Sequence, residues 1–186
     1  GTGLDDEAIS ITLLSQERQQ ICTIVSSDNL QILTNAGEWA ISSKPLTPSN
    51  VDIKQHTSVG SVSTRNLNPQ KIEGKTVFVS ANEHDIRELD LDDLTQTYNA
   101  TDLCAYSKHM LGGIMDIAYN SDEHKLFVAL DNGTISVLNH NAALEISAWA
   151  KYTTAGKFTS VAVVGDETYV IVKRASEYNV EKFSND

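Results

Sequence analysis

The sequence is poor in the residues and motifs that catalytic and metal sites usually require. It has only two cysteines, Cys22 and Cys104, with no CxxC spacing and no nearby histidine pair. Neither a zinc site nor a disulfide framework is indicated, and we expect both to be small buried residues in a reduced compartment. The G-x-S-x-G, P-loop, H-E-x-x-H and G-x-G-x-x-G motifs are all missing. We therefore predict no catalytic, cofactor-binding or metal-ligating residues, and no enzymatic activity.

Basic residues are also scarce, with 14 Lys and Arg against 25 Asp and Glu and a net charge of −11. A nucleic-acid surface is disfavoured, because phosphate binding needs clustered basic side chains. The acidic run Glu88–Asp93 is either a metal or partner site or, more commonly, a solvated loop at a sheet edge. No run of eighteen apolar residues and no signal-peptide pattern occurs, so we predict no membrane partner.

The most informative stretch runs from Ile114 to Tyr152. It contains short runs of alternating or apolar residues separated by turn residues, including Asp131-Asn132-Gly133. Asn-Gly between two such runs predicts a β-hairpin with a type I′ turn, which needs positive φ at both central residues. Four antiparallel strands in series would form one small sheet.

This pattern repeats along the chain. Leu30, Val77, Leu126 and Tyr169 occupy similar places in four segments, at spacings of 47, 49 and 43 residues. Periods of about 40–50 residues with four strands each are typical of propeller blades. We predict an all-β, propeller-like array of about four small antiparallel four-stranded sheets, with a β-sandwich as the alternative. The predicted central strands are Leu30 to Thr34, Val77 to Ser80, Lys125 to Leu130 and Tyr169 to Lys173.

The remaining segments complete this plan for a single domain, residues 1–186, which we expect to be excised from a longer chain. Glu7–Leu14 alternates as a strand that could complete a blade, and Leu94–Leu103 is expected to be a short helix or irregular connection. The fourth unit has three strands. Long polar loops are expected at Ser43–Asn50, Thr57–Pro69 and Asn99–Gly113, and Thr57–Pro69 is the favoured mobile or partner-contacting segment.

Three sets of residues are candidates for chemistry, and each also has a structural explanation. Five histidines in or near predicted turns are expected to be solvated rather than catalytic: His56, His84, His109, His124 and His140. Asp131 and Asn132 could bind calcium, yet hairpin geometry favours the same residues. Trp39 and Trp149 could stack on a sugar, although packing at blade edges is the more common role.

Several passages in collinear order carry a family resemblance. GEWAIS at 37–42 is followed by LTPSNV at 46–51 and by residues 55–60, and VFV at 77–79 leads to IREL at 86–89. These passages resemble bacteriophage tail tubular protein B, or tail nozzle, proteins, although Asp85 stands where that family tends to have an arginine. The resemblance continues through residues 102–103, 115–119, 131–133, 148–149 and 158–163.

The resemblance implies a non-enzymatic structural component of a phage tail that acts as a hub or nozzle module. Its partners would be other tail subunits in an oligomeric virion, and DNA would pass an acidic wall without specific binding. Its location would be the virion tail, and the cytoplasm of the bacterial host during assembly. A second class stays open, namely a ligand- or carbohydrate-binding propeller, with or without enzymatic activity, that uses a central-axis pocket.

Overall fold

A computed structural model describes residues 7–13, 15, 17–141, 144 and 146–184, which form four small antiparallel sheets. Sheet 1 contains β1 (Ile21–Ser26), β2 (Leu30–Thr34), β3 (Gly37–Ile41) and β4 (Ile53–Thr57). Sheet 2 contains β5 (Gln70–Ile72), β6 (Lys75–Val79), β7 (Ile86–Asp92) and β8 (Thr97–Asp102). Sheet 3 contains β9 (Ile114–Asn120), β10 (Lys125–Leu130), β11 (Ile135–Asn141) and β12 (Ile146–Tyr152). Sheet 4 contains β13 (Lys157–Val164), β14 (Glu167–Arg174) and β15 (Glu177–Lys182).

The predicted all-β class and the four-sheet organisation are confirmed. In every sheet the strands pair in sequence order. Two predicted central strands coincide with β2 and β10, and the other two lie at β6 and β14. The repeat in the sequence consists of the apolar residues of these strands. The period of the repeat could be recognised for this reason.

Each sheet packs one face against the next sheet along the chain. Sheets 1 and 2 share Leu33, Ala40, Phe78, Leu89 and Tyr98. Sheet 3 is covered on both faces, because Leu126 and Val128 pack toward sheet 2 whereas Phe127 and Ala129 pack toward sheet 4. All four of these β10 side chains are fully buried. The result is a propeller-like series of four sheets, none of which closes into a barrel.

A buried polar contact crosses each of the three junctions between sheets. Thr76 Oγ1 donates to Gln31 Oε1 at 2.7 Å between sheets 1 and 2. His140 Nε2 lies 3.2 Å from Glu88 Oε2 between sheets 2 and 3. Asn120 Nδ2 donates to Thr168 Oγ1 at 3.2 Å, and to the Asp166 carbonyl at 2.9 Å, between sheets 3 and 4. These contacts fix how each sheet is placed on its neighbour, because a shift would leave buried polar atoms unpaired.

Two predicted elements are wrong. Residues 8–13 belong to no strand, although Leu13 packs on sheet 1, and Leu14 lies outside the described residues. The expected helix or irregular connection at Leu94–Leu103 is largely strand β8, with Tyr98 buried against sheet 1. Tyr and Thr favour strands, and a tight turn in which Gln96 has φ of 55° joins β7 to β8.

The segment Thr57–Pro69 is also less open than expected. Gly60, Ser61 and Val62 are buried within it. Ser61 N–H donates to the Thr34 carbonyl of sheet 1, and Val62 N–H donates to the Val79 carbonyl of sheet 2. This part of the loop therefore joins the two sheets instead of forming a mobile contact surface.

The Asp131-Asn132-Gly133 turn exists, but its predicted type is wrong. Gly133 has φ of 85°, while Asp131 and Asn132 do not have positive φ. Gly133 N–H donates to the Leu130 carbonyl and Leu130 N–H donates to the Thr134 carbonyl. This pattern is the three-residue hairpin loop in which a type I turn is followed by a left-handed glycine, rather than type I′.

Gly133 is expected to tolerate substitution less well than another left-handed glycine, Gly74. A Cβ at Gly133 would lie 2.7 Å from Lys157 Cβ and 3.1 Å from Lys157 Cα, whereas a Cβ at Gly74 would meet nothing within 4 Å. Gly74→Ala should cost about 1 kcal/mol from its positive φ, and Gly133→Ala at least about 2 kcal/mol because β13 must also move. Chemical denaturation measures both, and equal losses of stability would contradict the proposed contact with Lys157.

Candidate functional site

A cleft of about 230 Å3 lies where the ends of sheets 1 and 2 meet. Its walls come from the β1–β2 turn, from β2, from the start of β6 and its preceding turn, and from β7 and β8. Four acidic residues and one lysine line it together with polar and apolar residues: Asp28, Glu73, Asp90, Asp93 and Lys75. The cleft is therefore acidic, as is the whole chain.

Lys75 is held by two carboxylates at the edge of this cleft. Its Nζ lies 2.9 Å from Glu88 Oε1 and 3.1 Å from Asp90 Oδ2. Burial on its own would lower the pKa of Lys75, but the hydrogen bonds and charges of Glu88 and Asp90 outweigh it and raise the pKa. The amine is thus held as an ammonium ion, which is neither a nucleophile nor a general base.

Glu88 connects Lys75 to His140 of sheet 3. Burial would raise the pKa of the Glu88 carboxyl, but hydrogen bonds from His140 and Lys75 lower it overall. Glu88 and His140 are only 5% and 9% exposed, so a substrate cannot reach the pair. The carboxylate–imidazole contact therefore joins two sheets and does not form an accessible acid–base pair.

The prediction that the histidines are solvated holds for His84 and His109, which are exposed. It is wrong for His140, which is buried, whereas His56 and His124 are partly exposed and also contact neighbouring residues. His56 Nδ1 accepts a hydrogen bond from Tyr98 N–H at 3.1 Å, and burial followed by the charge of Lys54 lowers the His56 pKa. His124 Nδ1 lies 3.6 Å from Glu73 Oε1. Each of these three histidines contacts a neighbouring sheet, which a turn position in sequence does not reveal.

The acidic run Glu88–Asp93 was expected to be a solvated loop, yet most of it is strand β7. Asp92 Oδ1 accepts hydrogen bonds from the N–H groups of Thr95 and Leu94, which lower the Asp92 pKa. This aspartate therefore stabilises the β7–β8 turn. Among the described residues, no group of three acidic, histidine or cysteine side chains is placed to hold a metal ion.

Asn132 of the hairpin and the two tryptophans were considered as possible ligand-binding residues. All three have hydrogen-bond partners within the fold. Asn132 Oδ1 accepts hydrogen bonds from the N–H and hydroxyl of Thr134. Trp39 Nε1 donates to Gln19 Oε1 at 2.7 Å, and Trp149 Nε1 donates to the Leu103 carbonyl at 2.9 Å. Trp39 is buried and Trp149 packs against the core between sheets 2 and 3. These contacts agree with a packing role for the two tryptophans and a turn-forming role for Asn132.

A second group of charges lies at the opposite end of β7, where Arg87 Nη2 is 3.4 Å from Asp85 Oδ2 and 3.6 Å from Asp102 Oδ2. Lys108 Nζ lies 3.4 Å from the same two carboxylates. Burial would raise the Asp85 pKa, but Asn82, Lys108 and Arg87 lower it. These balanced pairs hold the β6–β7 turn against the short 3₁₀ helix Lys108–Met110, and they leave no excess charge for a ligand.

Two other cavities offer less defined chemistry. One of about 220 Å3 is lined by Cys22 and Arg65, but Arg65 Nη1 already donates to the Ile114 carbonyl at 3.0 Å. Another of about 480 Å3 is lined by residues of the β12–β13 turn together with Lys157 and Lys173. The cleft between sheets 1 and 2 remains the best-defined candidate, because buried partners hold charges at its edge.

Lys75, Glu88 and His140 were not predicted to form a connected group. A signal was present in β7, where Glu88 alternates in phase with the buried Ile86. A charged residue in the buried phase of a strand needs a partner. Its partner His140 comes from another sheet 52 residues later, and spacing along one sequence cannot identify such a contact.

The likeness of this chain to solved structures is distant. No family model matches the sequence, and no curated protein matches it. Solved structures do match, including a luciferin-regenerating enzyme with 16% sequence identity and a TM-score of 0.47. The alignment covers 81% of this chain and 52% of that one, so this chain spans about half the length of its neighbour. A likeness this distant transfers neither activity nor substrate.

These comparisons correct the predicted function. A structural component of a phage tail was expected, but the luciferin-regenerating neighbour is an enzyme and nothing found indicates a tail protein. The family resemblance, the tail partners and the virion location stay predictions, because the comparisons do not bear on them. No helix among the described residues is long and apolar enough to cross a membrane.

The two thiols are expected to differ in reactivity. Neither is in a disulfide, and burial raises the pKa of Cys104 to about 12. Cys22 is only half-buried, although burial and the charge of Glu38 raise its pKa as well. A thiol-reactive chromophore should slowly modify one thiol in the native protein and two in denaturant. In Cys22→Ser, native modification should vanish; rapid labelling of that variant would show that Cys104 is accessible.

Glu88→Gln should destabilise the protein by about 2–3 kcal/mol at pH 7, because it removes a buried charge partner from Lys75 and His140. The pKa of Glu88 in the folded protein lies below its ordinary value of 4.5. Its stabilisation is therefore present above pH 4.5 and is lost as pH falls through the folded pKa. Denaturation at several pH values should show the difference from the unsubstituted protein shrinking in acid. The exposed control Glu177→Gln should have little effect, and a pH-independent Glu88 effect would exclude this charge interaction.

Proposed function

We propose that this domain is a non-catalytic, ligand-binding propeller module that takes a small cationic ligand in the cleft between sheets 1 and 2. The observation that carries this proposal is the excess of carboxylates in a formed cleft, with four acidic residues against one lysine. Lys75 is already paired with Glu88 and Asp90, so it does not neutralise Asp28 or Asp93. An amine would supply the missing positive charge.

The same geometry supports binding more than catalysis. The cleft offers carboxylates and a fixed ammonium ion, and the buried Glu88–His140 pair is out of reach of a ligand. A general base must come within hydrogen-bond distance of the proton that it removes. A carbohydrate is the second candidate, since carboxylates can accept hydrogen bonds from its hydroxyl groups. The amine is favoured because the cleft has an excess of negative charge.

Calorimetric titration with spermidine, and separately with maltose, distinguishes these ligands. Spermidine should bind, and Asp28→Asn should weaken it by about twofold to fivefold, because an exposed ion pair contributes roughly 0.5–1 kcal/mol. Asp166→Asn is a matched control, because Asp166 occupies the corresponding turn of sheet 4 and this substitution changes the net charge by the same amount. The Asp166→Asn variant should bind spermidine with the same affinity as the unsubstituted protein.

Binding should also weaken as ionic strength rises, because salt screens exposed charges. Equal losses of affinity in Asp28→Asn and Asp166→Asn would indicate general attraction to an acidic protein and contradict the cleft. Maltose binding that depends on Asp28 would show that the cleft binds a carbohydrate and not an amine. No binding of either compound at millimolar concentration would contradict the proposal.

A further inference from the structure

The last sheet of the array leaves an apolar face uncovered. The outer face of sheet 4 is the face directed away from sheet 3, and its residues share register positions across β13, β14 and β15. Val164, Tyr178 and Val180 on this face are 66%, 62% and 73% exposed. Its apolar members are Ala162, Val164, Tyr169, Ile171, Tyr178 and Val180. A contiguous apolar face of this kind usually marks an interaction site.

This face repeats the pattern of a face that is already an interface. In sheet 3, Ala118 pairs with Phe127 and Ala129 pairs with Ile135, and sheet 4 covers all four side chains. In sheet 4, Ala162 pairs with Tyr169 and Ile171 pairs with Val180 at the corresponding strands. An alanine–aromatic pair and a second apolar pair thus recur in order. The outer face of sheet 4 therefore has the composition of a face that receives another sheet.

The other end of the array also exposes apolar residues. The outer face of sheet 1 contains Ile32, Trp39 and Ile41, which are buried beside Leu13. On the same face, however, Ile21 and Ile24 of β1 are 52% and 55% exposed. Among the described residues, no core cluster contains residues from both sheet 1 and sheet 4. The series of sheets is therefore open at both ends.

Charge favours contact between these two ends. Residues 157–182, which form sheet 4, contain four basic and four acidic residues, so the whole net charge of −11 belongs to the rest of the chain. By register, Lys173 and Lys182 lie on the outer face with Glu167. Residues 21–57, which form sheet 1, contain two basic and three acidic residues, so most of the negative charge lies outside both end sheets. Sheet 4 of one molecule can therefore approach sheet 1 of another with little electrostatic repulsion.

We propose that the partner of sheet 4 is a second copy of this chain, whose sheet 1 packs on the outer face of sheet 4. If each copy contributes both ends, two identical contacts join two chains into one ring of eight sheets. Propellers typically contain four to eight blades. In a closed ring, the outer faces of sheet 1 and sheet 4 are covered in both copies. If the same contact did not close into a ring, it would add further copies and form fibres.

Analytical ultracentrifugation of the purified chain tests this assembly. The unsubstituted protein should form a dimer, and Val180→Lys or Ile24→Lys should each raise its dissociation constant at least about tenfold, because the contact would bury an unpaired charge. Both positions are more than half exposed in the single chain, so both variants should fold. Ser121→Lys, in an exposed turn of sheet 3, is the control for added charge and should remain dimeric.

An equimolar mixture of the two variants is the decisive sample. The intact sheet 4 of Ile24→Lys can pack on the intact sheet 1 of Val180→Lys, so one of the two contacts should form and give a heterodimer. Dimerisation of Ile24→Lys alone would instead indicate contact between two copies of sheet 4 and overturn the proposal. A monomeric unsubstituted protein at millimolar concentration, or a mixture that stays monomeric, would overturn it as well.

Discussion

The structure depends on the burial of one sheet face against the next, because a sheet of three or four short strands cannot cover its own apolar side chains. Sheet 3 shows the consequence most clearly: Leu126 and Val128 face one neighbour, Phe127 and Ala129 face the other, and all four are fully buried. Its β10 therefore reads as a continuous apolar run. Sheet 4 is covered on one face only, and burial alternates along its central strand β14.

Apolar packing brings the sheets together but does not by itself fix their relative positions, since it is non-directional. The relative positions of the sheets are fixed at the three junctions by directional buried contacts, namely Thr76–Gln31, His140–Glu88 and Asn120–Thr168. The contact between sheets 2 and 3 also reaches the candidate site, because Glu88 holds Lys75 at the edge of the cleft. The electrostatic character of the site thus follows from the packing of a third sheet that does not line it.

The strand repeat could be predicted from the sequence because it depends on local alternation and turn residues, as at Leu30–Thr34 and Lys125–Leu130. The turn at Gly133 was found for the same reason, although its type depends on backbone angles that Asp-Asn-Gly does not determine. The candidate site could not be predicted. Glu88 and His140 meet only after two sheets pack, and their separation in sequence matches no motif. Tail function was predicted from the collinear resemblance, the missing catalytic and metal motifs and the long polar loops, and it is the part of the prediction that was corrected.

Amide hydrogen exchange tests the central claim that sheet-to-sheet burial organises the molecule. In dilute, monomeric protein, the amides of β10 should exchange only as fast as global unfolding allows, because sheet 3 is covered on both faces. The amides of β14, at the centre of a sheet with one uncovered face, should exchange faster. Exchange of β14 as slow as that of β10 would contradict the account, since it would show that protection does not follow the number of covered faces.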